Sequence, residues 1–189
     1  MQEPIIPNIP GLKYIPNYIS EIEEKSLMNI IDQQSWLTDL KRRVQHYGYK
    51  YDYTARVTTQ DLYLGEIPDW LAHLSRKLFD DNIFRLYPDQ VIINEYLPGQ
   101  GISSHIDCVP CFEETICSLS LLSPCLMDFS KNEEKTSIYL EPRSLLILSG
   151  SARFEWKHGI ASRRQDSYYG NKFLRDRRVS VTFRKVKLI

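Results

Sequence analysis

From Asp89 to its C-terminus the chain is a succession of short apolar or alternating runs: Val91–Tyr96, Ile116–Leu122, Cys125–Phe129, Ser137–Leu140, Ser144–Leu148, Phe154–His158 and Arg178–Lys185. Turn signals such as Pro98-Gly99, Lys131-Asn132 and Glu141-Pro142 separate them. Runs of this length, bounded this way, read as strands joined by tight connections, which predicts an antiparallel sandwich or barrel. The expected fold class is mainly β with N-terminal helices (α+β), its strands rolled into a jelly roll.

The first third reads differently. After a proline-punctuated lead, Ser20 is the expected N-cap of an amphipathic helix running to about Asp32, with Ile22, Leu27, Ile30 and Ile31 as its apolar face. A second helix is expected from Pro68, at its first position, to about Phe79, with Trp70, Leu71, Leu74 and Leu78 at helical spacing. No repeat, low-complexity tract or linker divides the 189 residues, so one domain is expected over 1–189, with the N-terminal helices in 1–88 and the jelly-roll core in 89–189.

No apolar run approaches a membrane span, and the start MQEPIIPNIPG lacks the basic and apolar parts of a signal peptide. The expectation is a cytoplasmic protein with no membrane association and no obligate protein partner. Cys108, Cys111, Cys117 and Cys125 are too few and too clustered for a secreted disulfide framework, so reduced thiols are expected. Net charge is zero but unevenly spread. Residues 41–60 hold five basic against one acidic side chain, and residues 141–189 hold twelve against four. The two basic blocks could share a face, or be neutralised by the acidic blocks between them.

The chemistry rests on a His105-Ile106-Asp107 triplet and on His158. On a strand, residues two apart share a face, so His105 and Asp107 would point together while Ile106 packs behind. Two histidines and one carboxylate form the facial set of non-haem Fe(II) oxygenases, which leaves coordination positions open for a cosubstrate and dioxygen. A structural zinc site would usually have a fourth protein ligand. His46 and His73 are left as structural residues.

The strand Arg178–Lys185 alternates Val179, Val181 and Phe183 with Arg178, Ser180, Thr182 and Arg184. A guanidinium inside a sandwich needs a carboxylate or a wet cavity, and a dicarboxylate such as 2-oxoglutarate would supply two carboxylates. The competing reading is an outward, solvated face. On Val91–Tyr96, Asn94 and Tyr96 share a face and offer an amide and a phenol, to a cosubstrate or only to neighbouring backbone. The segment from Lys41 to Tyr53 interleaves basic residues with Tyr47, Tyr49, Tyr51 and Tyr53 at alternate positions, which on a strand would line one side. Arg43, Tyr47, Tyr49 and Tyr51 are therefore candidate contacts to an unstacked base, with an aromatic cover over the sandwich as the alternative. Residues 161–177 read as a mobile loop that could border the entrance. The CxxC of Cys108 and Cys111 is a weak redox or zinc signal by itself.

As an ordered set, Asn94-Glu95-Tyr96-x-Pro98-Gly99, His105-x-Asp107, Arg153 ahead of His158-Gly159-Ile160, and Arg178-Val-Ser-Val-Thr-Phe-Arg184 resemble the AlkB family of Fe(II)/2-oxoglutarate-dependent dioxygenases. The resemblance covers about Asp89–Val186. It implies a double-stranded β-helix, Fe(II) held by His105, Asp107 and His158, and 2-oxoglutarate held by Asn94, Tyr96, Arg178 and Arg184 with Ser180 nearby. Dioxygen would be the second cosubstrate. The implied reaction is hydroxylation or oxidative demethylation of a modified or alkylated nucleobase in DNA or RNA, single-stranded or flipped, under a recognition lid at about residues 41–60. Base-repairing members carry acidic residues almost directly after the HxD. Here Cys108, Val109 and Pro110 follow, and the run through Phe112-Glu113-Glu114 and Ser118-Leu-Ser120-Leu is closer to the branch that hydroxylates the tRNA wobble uridine. The alternatives are an oxygenase of the same kind acting on protein or a small molecule, and a jelly-roll module holding its metal without turnover.

Overall fold

The computed structural model describes residues 5–38, 40–52 and 58–187. In chain order the elements are β1 (Leu12–Ile15), α1 (Glu21–Gln33), β2 (Val44–Tyr47), α2 (Asp69–Asp80), β3 (Gln90–Tyr96), β4 (Ile102–His105), β5 (Phe112–Leu122) and β6 (Cys125–Lys131). Then come β7 (Glu134–Leu140), β8 (Leu145–Leu148), α3 (Gly150–Phe154), β9 (Lys157–Ile160), β10 (Gln165–Tyr168), β11 (Asn171–Leu174) and β12 (Arg178–Val186). A six-stranded sheet in the order β1-β8-β5-β12-β3-β2 faces a four-stranded sheet, β4-β9-β6-β7, and every paired strand runs antiparallel. This is the expected jelly roll with N-terminal helices.

Strand alternation divides the core. On the outer face of the large sheet, Val91, Ile93, Leu119, Leu121, Val179, Val181 and Phe183 pack against Leu27 and Ile31 of α1 and Leu71, Leu74 and Leu78 of α2. Between the sheets, Leu146 and Leu148 meet Met127, Phe129, Ile138 and Leu140. Each face is buried for a different reason, the first to seat the helices and the second to close the roll.

Several local expectations are adjusted. Ser20 caps α1 with a capping box: Glu23 N donates to Ser20 Oγ at 3.2 Å and Ser20 N to Glu23 Oε2 at 2.7 Å. Yet Ile22, expected on the apolar face, is 78% exposed, and Glu24 is buried in that face with Leu27, Met28 and Ile31. Glu24 accepts a hydrogen bond from Leu122 N and ion-pairs with Arg143, so the polar needs of a neighbouring turn displace the apolar residue. Pro68 sits one position earlier than expected, as the N-cap of α2. Phe154 ends α3 instead of opening a strand. Residues 161–177 are not a loop throughout: β10 and β11 form a hairpin whose turn residues Tyr169 and Gly170 both have positive φ. Its anchor is the buried Asp166, which takes hydrogen bonds from Arg163, Arg175 and Leu126 N.

Cys108 and Cys111 form a disulfide, against the expectation of reduced thiols; the Val109–Pro110 turn brings their Cα atoms to 5.3 Å. Cys117 and Cys125 are free and buried. Among the described residues no helix is long and apolar enough to cross a membrane.

Candidate active site

His105 and His158 meet because β4 pairs with β9 with the two histidines directly opposite. That pairing is unusually close. A Cβ on Gly159 would lie 2.9 Å from Ser104 Cα, and one on Gly101 would lie 2.1 Å from Ile160 O, so both positions require glycine. The rings stand 4.6 Å apart between centroids. Asp107 lies beyond the end of β4, in the turn before the Cys108–Cys111 bridge, so strand alternation does not carry it to the site as expected. Ile106 lines a cavity instead of packing behind a strand. One ligand atom from each of His105, Asp107 and His158 falls within 4.8 Å of the others.

The loop bearing Asp107 is held from below. Arg153, 2% exposed, donates to Asp107 O at 2.9 Å and Cys108 O at 3.1 Å. Burial lowers the Arg153 guanidinium to about 10, still cationic at neutral pH. Arg184 Nη2 donates to Asp107 Oδ1 at 2.8 Å, while Asp107 Oδ2 lies 3.5 Å from His158 Nε2. Burial alone would raise the Asp107 carboxyl, but the surrounding charges, Arg184 foremost, hold it well below the ordinary carboxylate range. Burial lowers His158 to about 4 against the attraction of Asp107, so the imidazole is neutral at pH 7. His105 Nδ1 lies 2.8 Å from Ser103 O, which fixes the ring and leaves Nε2 toward the cluster. An ionised carboxylate and a neutral imidazole held against it are the protonation states a divalent metal requires.

An inner cavity of ≈ 60 Å³ opens off this cluster, between the sheets. Arg178, Ser180, Thr182 and Arg184 of β12 all line it, as alternation predicted, with Asn94 and Tyr96 from β3 beside them. Arg178 is 3% exposed and donates to Ser120 Oγ at 3.0 Å, while its Nε and Nη1 are buried with no protein partner among the described residues. Its guanidinium also lies 5.5 Å from the centre of the Tyr96 ring. A buried guanidinium with two orphaned nitrogens on a cavity wall calls for an anion. At the other end Arg184 reaches the carboxylate of the metal cluster. A dicarboxylate reaching from Arg178 toward His105, Asp107 and His158 would fit this arrangement.

A second, outer cavity of ≈ 580 Å³ opens on the other side of His105 and Asp107. Tyr51, Phe112, Arg42 and Ser162 contribute to its walls. The tyrosines of the 41–53 segment do not line one side. Gly48, at φ +74°, breaks the strand, so Tyr47 faces the helix layer edge-on to Trp70, whereas Tyr49 packs with Cys108, Cys111 and Phe112. Of the three described tyrosines, Tyr51 is the one on the cavity wall; Tyr53 and residues 54–57 of the expected lid lie outside the described residues. Arg43 points away, with two hydrogen bonds to Glu95 at 2.6 and 2.8 Å and Trp36 beneath it. Its neighbour Arg42, not singled out from the sequence, reaches the cavity and donates to Asn94 Oδ1 at 2.8 Å. The buried Glu95 on β3 was the available signal, since a carboxylate on the helix side needs a cation of the same parity. Many other basic residues of the two blocks are likewise ion-paired: Arg177 with Asp32 and Glu95, Arg163 and Arg175 with Asp166, and Lys185 with Asp89.

The model of the 2OG-Fe(II) oxygenase superfamily matches residues 11–184, a span that includes every residue of this site. The chain belongs to the AlkB family of that superfamily. As an AlkB-family member it is an Fe(II)- and 2-oxoglutarate-dependent dioxygenase, and its cofactor set is Fe(II), 2-oxoglutarate and dioxygen. It is 38% identical over 182 residues to "Uncharacterized protein L905" of Acanthamoeba polyphaga mimivirus, covering 95% of this chain and 86% of that one. It is 37% identical to "Alkylated DNA repair protein ALKBH8 homolog" of Arabidopsis thaliana, of which it spans 59%. It is 35% identical to "tRNA (carboxymethyluridine(34)-5-O)-methyltransferase alkbh8" of Xenopus tropicalis, of which it spans 33%. Among solved structures, "The structure of OsALKBH1" superposes with a TM-score of 0.71 at 16% identity, covering 94% of this AlkB chain and 97% of its own, a likeness of fold.

Proposed function

We propose that this AlkB-family oxygenase hydroxylates or oxidatively demethylates a modified base of a nucleic acid, with tRNA the first substrate to test. The observation that carries this reading is the outer cavity: at ≈ 580 Å³ it has the size of a small-molecule pocket and opens directly on the metal-binding side chains. Tyr51 and Arg42 on its walls offer a ring face and a cation, the pair of contacts an unstacked nucleotide uses. Relatives named for DNA repair and for tRNA modification, in Arabidopsis thaliana and Xenopus tropicalis, support the same substrate class.

The metal and 2-oxoglutarate supply, with dioxygen, the oxidising power that turns a substrate C–H into C–OH, with succinate and carbon dioxide as co-products. His105, Asp107 and His158 would hold the metal through two imidazoles and one carboxylate. Arg178, with two unpartnered nitrogens on the cavity wall, would hold a carboxylate of 2-oxoglutarate, and Arg184 lines the same cavity while holding Asp107. The apolar walls given by Met127, Leu146 and Leu148 exclude water from that end. On an N-methyl group the hydroxylated carbon leaves as formaldehyde; on a carbon-linked substituent the hydroxyl remains.

A protein or small-molecule substrate is the second reading, and the packing of Tyr47 and Tyr49 and the ion pair of Arg43 favour it, because they assign most of the 41–51 segment to covering the fold. Succinate release decides between them. With Fe(II) and 2-oxoglutarate loaded anaerobically, oxygen is added with modified tRNA, methylated single-stranded DNA, or neither. Stimulation by one nucleic acid above the uncoupled rate supports the proposal; equal succinate in all three, with the metal verified bound, refutes it.

A further inference from the structure

The segment carrying Arg42 is fixed at two points. Gln100 Nε2 donates to Lys41 O at 2.7 Å while Gln100 Oε1 accepts from Leu97 N at 2.8 Å, tying the segment to the turn after β3. Arg42 Nε donates to Asn94 Oδ1 at 2.8 Å, and the guanidinium carbon lies 5.9 Å from the centre of the Tyr96 ring. One edge of the guanidinium is thus seated on the residues that line the inner cavity, while the side chain itself lines the outer one. Among the described residues its two terminal nitrogens have neither a hydrogen-bond nor an ion-pair partner.

This distinguishes Arg42 from the arginines around it. Arg43 is taken by Glu95, Arg177 by Asp32 and Glu95, and Arg184 by Asp107. Among the described residues, the outer cavity has Lys41, Arg42 and Arg184 on its walls against a single carboxylate, Asp107, which Arg184 already engages. An arginine immobilised at Nε and open at both terminal nitrogens presents a fork that fits two oxygens of one anion, with little side-chain entropy left to lose.

We propose that Arg42 is a substrate-positioning residue whose terminal nitrogens bind an oxyanion of the substrate, either a carboxylate carried by the modified base or the phosphate beside that base. The inference rests on the nucleic-acid reading above and deepens it. It also sets a charge preference: a cationic alkylated base would meet Lys41 and Arg42 with no unengaged carboxylate among the described residues of the wall to offset them, a repulsion that a neutral or anionic base escapes.

The test measures equilibrium binding of hairpin RNAs to protein loaded with 2-oxoglutarate and Mn(II) without oxygen, so that no turnover occurs. Three loops are compared: one with a 5-carboxymethyluridine, one with its methyl ester, and one with the carboxymethyluridine and a neutral methylphosphonate in place of the adjacent phosphate. The wild type is expected to lose about tenfold when the oxyanion bound by Arg42 is neutralised, the worth of one charge-assisted hydrogen bond. Arg42→Gln should bind the first loop about tenfold more weakly and become indifferent to that same neutralisation, and Arg42→Lys, which keeps charge without the fork, should fall between. Sensitivity to the ester assigns the base carboxylate; sensitivity to the methylphosphonate assigns the phosphate. Equal binding of every loop by wild type and Arg42→Gln overturns the inference alone. So does a fall in 2-oxoglutarate affinity with RNA binding intact, since Arg42 would then only brace Asn94. Failure of the wild type to bind any loop sinks the nucleic-acid reading and this inference with it.

Discussion

The two cavities that meet at His105 and Asp107 are built by different means. The inner one is cut into paired strands: β12 and β3 place Arg178, Ser180, Asn94 and Tyr96 on its wall by alternation, and the sheet leaves their positions no freedom. The outer one shares Asn94, Ile102, His105, Asp107 and Arg184 with it, and on its far side adds connections, namely positions 40–42, 51, 106, 108 and 162. Rigid strands suit the cosubstrate and metal chemistry shared across a superfamily, while connections can change without disturbing the sheets and so suit substrate choice. If that division holds, substitutions in the inner cavity should change cosubstrate affinity alone, and substitutions around the outer one should change substrate affinity alone.

The largest effect is expected where the cavities join. Asp107→Asn keeps the shape of the side chain but removes its charge, so iron content after desalting and succinate formation should both drop to background while the fold survives. Retention of iron-dependent turnover would remove Asp107 from the ligand set.

Next comes the inner cavity. Arg178→Met should weaken 2-oxoglutarate by about two orders of magnitude, from the loss of ~3 kcal/mol of charge-assisted hydrogen bonding. The cosubstrate-free protein should be no less stable, because the guanidinium carries two unpartnered buried nitrogens. Thermal melts with and without 2-oxoglutarate check both halves: the ligand-induced rise in Tm disappears and the ligand-free Tm holds or increases. A large fall in the ligand-free Tm would mean that Arg178 is a structural residue.

Two tyrosines separated by four positions sharpen the contrast. Tyr47→Ala removes an edge-on contact with Trp70 and should cost about 2 kcal/mol of stability without altering substrate affinity. Tyr51→Ala, which removes a contact with Phe112, should cost no more stability than Tyr47→Ala but raise the KM for the nucleic-acid substrate several-fold. Urea titration and steady-state kinetics separate the two, and a reversal of the pattern would show that the parity break at Gly48 has been misread.

The smallest effect lies outside both cavities. Burial alone would raise the carboxyls of Glu95 and Asp166, but hydrogen bonds from Arg43 and Arg177 to the first, and from Arg175, Arg163 and Leu126 N to the second, hold both below their ordinary values. A depressed folded-state value gives stability that is complete above the unfolded-state value and is lost as pH falls toward the folded one. Denaturation midpoints should therefore be level from neutral pH to about 5 and fall below about 4. Glu95→Gln and Asp166→Asn should each flatten that acid limb; unchanged limbs would place the acid sensitivity elsewhere.

How much of this was legible in the chain depended on whether a residue sat on a strand with a fixed parity. The face of β12 could be read in advance because Val179, Val181 and Phe183 need an apolar layer, which forces Arg178, Ser180, Thr182 and Arg184 to the other side. The 41–53 segment could not be read this way. One glycine at positive φ reverses the face between Tyr47 and Tyr49, and nothing in the local pattern distinguishes Arg42 from Arg43 until the register of β2 against β3 sets Val44 opposite Asn94. The hairpin at β10–β11 was hidden because its anchor, Asp166, is held by Arg163, Arg175 and a backbone amide from β6, contacts that no periodicity announces.

Taken alone, the sequence determined the jelly roll, the arginine strand and the three side chains whose donors gather in one cluster, because strand alternation fixes the first two and donor chemistry, a property of residue type, singles out the third. The tertiary structure decided that Asp107 reaches the site from a turn closed by the Cys108–Cys111 bridge, that Arg153 supports that turn, and that Arg42 and not Arg43 lines the outer cavity. These depend on which backbone groups are brought together by strands distant in the chain, and the free energy that selects among them is that of satisfying buried charges and carbonyls, which exist as buried groups only once the sheets have closed.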